Sequence, residues 1–109
     1  MRAKTVTALI AITAILLPAS TARADRIDGN WCYKDRHMSI EGPSIITPGG
    51  TKTTGLYDRH GFQYTVPGGE PDAGARVNMV QFNEQTIQVM TVEGKNSRVE
   101  IWNRCDLTT

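Results

Sequence analysis

The chain has 109 residues, with 12 Lys and Arg against 11 Asp and Glu, two Cys and 6% aromatic residues. That length holds one domain and excludes multidomain enzymes and any fold needing ~200 residues. The near-neutral charge lacks the basic stripe that would neutralise several phosphates, so nucleic acid is not expected as a partner.

Residues 1–24 read as a cleaved secretory signal. Arg2 and Lys4 form a positive start, and residues 6–17 are mostly apolar. That run is too short for a membrane helix of ~20 residues. Pro18, Ala19 and Ser20 break it, and Ala22-Arg23-Ala24 supplies a small-x-small cleavage site. The expected mature domain is residues 25–109, periplasmic or secreted. No second apolar run follows, so no membrane span is expected in it. Cleavage would remove Arg2, Lys4 and Arg23, leaving nine basic residues against eleven acidic ones. These charges are mixed along the chain, as on a solvated surface.

The mature sequence shows period-2 alternation and turn residues, with no amphipathic helix of three turns. Residues 27–33 read as a first strand, turned by Lys34-Asp35-Arg36. Residues 37–41 form a short second strand, stopped by Gly42-Pro43. Residues 44–47 form a third, stopped by Pro48-Gly49-Gly50. Residues 48–55 read as a polar, exposed loop. Residues 56–66 are one strand bent at Gly61 or two short ones. The segment from Pro67 to Gly74 holds too many Gly and Pro residues for regular structure. Residues 75–82, 85–92 and 97–105 then make an antiparallel meander, with Gly94 available for the second of its turns. The expectation is an all-β domain of six to seven short strands, arranged as a small antiparallel barrel or sandwich.

Cys32 and Cys105 lie near the two ends of the mature chain. In an exported protein they are expected to form one disulfide. Closing a loop of ~74 residues would stabilise the domain by roughly 4 kcal/mol in the chain-entropy account. The bridge requires the first and last strands to lie side by side, which would hide two sheet edges.

Side chains alternate across a strand, so Trp31, Tyr33 and Trp102 share a face with Arg98, Glu100 and Arg104. The disulfide, Val99 and Ile101 share the other face. If the disulfide face is inside, the aromatic face is an exposed binding patch with an arginine rim. If the aromatic face is inside, the tryptophans are core and the bridge lies outside. Trp31, Tyr33, Trp102 and Arg104 are the candidate binding residues.

Gly29-Asn30-Trp31 near the mature N-terminus, with an arginine in the last strand, resembles the lipocalin and avidin barrels. In those families the tryptophan and a late arginine pack together at the closed end. The matching arginine here is Arg104 or Arg98. The resemblance implies a barrel that carries a small apolar ligand. Trp31-Cys32, Gly42-Pro43, Thr47-Pro48-Gly49-Gly50 and Tyr64-Thr65-Val66-Pro67 are also similar to short exported proteins of alphaproteobacteria with a disulfide-closed β domain. That likeness implies a fold and a compartment but no activity.

Catalytic signatures do not emerge. His37 and His60 recur in Asp-Arg-His contexts, but no spacing gathers them into a metal site. No G-x-S-x-G elbow supports acyl transfer. The Pro-Gly-Gly loops lack the Lys-Ser/Thr ending of a phosphate cradle. The expected function is therefore a non-catalytic binding or structural module of the cell envelope. It would act without a cofactor or metal, as a monomer, on an unidentified protein or envelope component. The alternatives are a calycin-like carrier of a small apolar ligand and, third, a small hydrolase.

Overall fold

The computed structural model describes residues 26–105. The signal expected over residues 1–24 lies outside them. Among the described residues there is no helix, and nine strands form one antiparallel sheet. They are β1 (Gly29–Tyr33), β2 (Arg36–Glu41), β3 (Ser44–Ile46), β4 (Lys52–Thr54), β5 (Leu56–Asp58), β6 (Gly61–Thr65), β7 (Arg76–Asn83), β8 (Thr86–Glu93) and β9 (Asn96–Arg104). The strand order is β4-β3-β2-β1-β9-β8-β7-β6-β5.

Two-residue loops make most of the turns. Lys34-Asp35, Gly42-Pro43, Arg59-His60, Glu84-Gln85 and Gly94-Lys95 each join a pair of neighbouring strands. Such loops set the register of the strands they join, and on β7–β8 that register shifts once, between Gln81 and Asn83.

The sheet curls into a nearly closed barrel. Its two edges, β4 and β5, are consecutive in the chain and separated only by Gly55. Residues 52–58 thus act as one bent stave, paired with β3 in its first half and β6 in its second. The Gly55 amide donates to the Pro43 carbonyl at 2.9 Å. A Cβ at Gly55 would lie 2.2 Å from the Gln63 carbonyl oxygen and 2.7 Å from the Phe62 ring. Only glycine lets the chain bend this close to β6.

This corrects the expected six to seven strands. The added strand is β4, read from sequence as loop because Pro48-Gly49-Gly50 masks the start of a run of only three residues. The segment from 56 to 66 is two strands, with the reversal at Arg59-His60 rather than a bend at Gly61.

The first and last strands pair directly, Trp31 opposite Arg104 and Cys32 opposite Asn103. Beside that pairing Cys32 and Cys105 form a disulfide, with their Cα atoms 5.1 Å apart.

Alternation along each strand aims one face into the barrel. Trp31, Met38, Ile40, Ile45, Phe62, Val77, Met79, Ile87, Val89 and Trp102 are buried there. Each tryptophan removes on the order of 200 Å² from water, worth about 5 kcal/mol at ~25 cal/mol/Å². The two ends of the barrel differ. Turns 42–43, 59–60 and 84–85 gather at one end with residues 26–28. Turns 34–35 and 94–95 and the longer connections 47–51 and 66–75 gather at the other.

Candidate functional site

The end that holds residues 26–28 is plugged. The Trp31 ring is fully buried, and its indole N–H donates to the Ile27 carbonyl at 2.8 Å. The Arg104 guanidinium lies over that ring, 4.2 Å from its centroid. Its nitrogens donate to the carbonyls of Asp28 (2.5 Å), Arg26 (2.6 Å) and Glu84 (2.7 Å). Gly29, at φ +124°, clears the way: a Cβ there would meet Arg104 Nη1 at 2.4 Å. The buried Asp28 carboxylate accepts from the Tyr57 hydroxyl and, at 2.8 Å, from the Gly42 amide. Burial pushes its pKa up, but the Tyr57 and Gly42 hydrogen bonds and the Arg26 charge outweigh that and hold it below the usual value. These contacts tie the incoming chain, the β2–β3 turn and β5 into one closure.

The opposite end is a mouth with a cavity of about 300 Å³. Met38, Val77, Met79, Val89 and Trp102 give it an apolar floor, and Tyr64 and Thr91 line its wall. Tyr33 stacks on Trp102 beside it, with centroids 5.5 Å apart and planes 23° apart. The Arg36 guanidinium lies 5.2 Å from the Trp102 centroid and 5.7 Å from that of Tyr33.

One carboxylate organises this rim. Glu100 accepts from the Trp102 indole N–H at 3.1 Å and from Arg36 at 2.9 Å, and Arg98 Nε stands 3.5 Å away. Burial raises its pKa, but the Trp102 and Arg36 hydrogen bonds and the two arginine charges bring it below the ordinary value. Arg98 also pairs with Asp72 at 2.8 Å. Asp72 belongs to the 66–75 connection, which therefore folds over the mouth. Glu70 on the same connection accepts from the Thr47 hydroxyl at 2.5 Å and reaches across to the 47–51 loop. Tyr64 is buried, and its pKa is pushed up to about 12, first by burial and then by the charge of Glu70. Its phenol is a neutral donor at any physiological pH.

The candidate residues read from sequence fall at both ends. Trp31 and Arg104 build the plug, whereas Tyr33 and Trp102 belong to the mouth. The aromatic face is thus the interior, and the bridge lies outside it with the exposed Val99 and Ile101. Of the two arginines left open by sequence, Arg104 is the one over Trp31, and Arg98 stands at the mouth. Sequence reading missed Arg36, Tyr64, Glu70, Asp72 and Thr91 at the mouth. Inward alternation on β6 and β8 would have placed Tyr64 and Thr91 inside. No local pattern marks the two acids of the loop.

His37 stands on β2 and His60 in the β5–β6 turn, and His37 Nε2 lies 3.0 Å from Asn30 Oδ1. Among the described residues, no helix is long and apolar enough to cross a membrane. Comparison with family models, curated proteins and solved structures returns no match to this chain.

Proposed function

We propose that this protein is a small exported, non-catalytic binding barrel that carries a compact, mostly apolar ligand in its mouth. The observation that carries this reading is the cavity of about 300 Å³, with its apolar floor and polar rim. That volume stands at the small end of ligand pockets and suits a fragment-sized molecule. Export is supported by the disulfide, which persists in oxidising compartments. The plug formed by Trp31 and Arg104 supports the calycin-like reading, in which one barrel end is sealed and the other receives the ligand.

NMR titration with 2-phenylethanol tests this. The indole N–H of Trp102, which sits in the floor, is expected to shift on binding. Thr91→Phe fills the cavity and is expected to abolish that shift while the rest of the spectrum stays folded. No shift in the wild type with this alcohol or with its amine analogue 2-phenylethylamine, or the same shift in the variant, would refute the reading.

A second reading, an envelope protein as partner, draws on the outer face of the barrel. Val80, Phe82, Val99 and Ile101 are exposed on β7 and β9, and such a patch suits a protein contact. Specific capture from envelope extracts, lost on Ile101→Lys, would favour it.

A further inference from the structure

We infer that the ligand of the mouth is a monocation with an apolar body, its charged nitrogen held by Glu70. This rests on the carrier reading above and specifies the chemistry of the same site.

The argument is a charge balance. Arg36, Arg98, Glu70 and Asp72 line the cavity, and Glu100 sits beneath the two arginines. Arg36 is matched by Glu100, and Arg98 by Asp72 with a share of Glu100. That leaves Glu70. Among the described residues, no cation pairs with it, and its one hydrogen bond is from a neutral hydroxyl, that of Thr47. A half-buried carboxylate beside an apolar cavity attracts a cation, because the low-dielectric wall strengthens the field that it projects inward.

The surroundings hold this carboxylate in place. Gly49 packs flat against Glu70, so that a Cβ there would lie 2.3 Å from its carboxyl carbon. The Glu70 charge also acts on Tyr64 in the cavity wall, which places the two within electrostatic reach of one another. An ammonium beside Glu70 can donate to the carboxylate, while the rest of the molecule lies on Met38, Val77, Met79 and Trp102, which line the same cavity. An anion in the same place would face the excess negative charge.

Three probes of matched size separate the outcomes: 2-phenylethylamine, 2-phenylethanol and 3-phenylpropionate. The amine is expected to bind the wild-type protein about tenfold more tightly than the alcohol, and the carboxylate more weakly than both. Glu70→Gln is expected to bring the amine down to the alcohol without changing the alcohol. Gly49→Ala, which displaces the carboxylate while keeping its charge, is expected to weaken the amine selectively. The preference for amine over alcohol is read in the wild type, so it does not depend on any variant folding. If the alcohol binds and the amine gains nothing, or the carboxylate binds best, the inference fails while the carrier reading stands. If none of the three binds, both fail.

Discussion

Replacing Arg104 by Met tests whether the plug holds the barrel shut. The change keeps an apolar chain against the Trp31 ring but removes three hydrogen bonds to the carbonyls of Arg26, Asp28 and Glu84. Hydrogen bonds to a charged group are worth about 1.5–3 kcal/mol each. Three of them set an upper range of about 4.5–9 kcal/mol. Burying the guanidinium offsets part of this, as its lowered pKa reports: desolvation pulls it down against the attraction of Asp28 and Glu84. A net loss of about 3 kcal/mol is expected. For a domain of this size that is a fall in Tm of about 12–24 °C. Arg104→Lys keeps the charge but presents a compact ammonium in place of a planar fork, and is expected to lose about 2 kcal/mol. Gly29→Ala strikes the same guanidinium from the other side. The double variant Gly29→Ala with Arg104→Met should therefore lose less than the two single changes summed. Urea and thermal unfolding followed by far-UV circular dichroism give all four values. A loss under 1 kcal/mol for Arg104→Met, or strict additivity in the double variant, would refute this account of the plug.

Removing the disulfide with Cys32→Ser and Cys105→Ser should cost up to about 4 kcal/mol, and equal melting temperatures with and without reductant would contradict this. Stability should also fall in acid. The folded-state pKa values of Asp28 and Glu100 lie below their ordinary values. Their stabilisation is therefore complete above the unfolded carboxylate range, near pH 4, and is lost as pH drops through the lower folded values. A Tm series from pH 7 to pH 3 should show that fall, with a shallower slope in Asp28→Asn. Gly55→Ala should loosen the barrel where its edges meet, by about 2 kcal/mol or more, and hydrogen exchange should then speed up first at residues 52–58.

Much of this architecture was legible because strands announce themselves locally. The alternation of Val77, Met79, Ile87 and Val89 named the meander, and the Gly-Pro and Pro-Gly-Gly runs at 42–43, 48–50 and 67–69 named the breaks before it. The bridge between Cys32 and Cys105 was legible from the count of cysteines together with the export expected from residues 1–24. The facing of Trp31 and Trp102 was not, because period 2 says which residues share a side but not which side is covered. Only closure of the sheet decides that, and closure depends on Gly55, which reads in sequence as one more loop glycine. The mouth was hidden for the same reason. Glu70 and Asp72 sit in a stretch without periodicity, and their partners Thr47 and Arg98 lie 23 and 26 residues away. Arg36 was read as a turn residue, although it opens β2 and stacks over Trp102.

The pairing of β1 with β9 brings both ends of the described body out on the plugged side, where Cys105 donates its amide to the Asn30 carbonyl. Coupling either end to a bead, a sensor chip or a fusion partner would therefore leave the opposite opening pointing into solution. Attachment chemistry and ligand capture can then be varied independently on this scaffold.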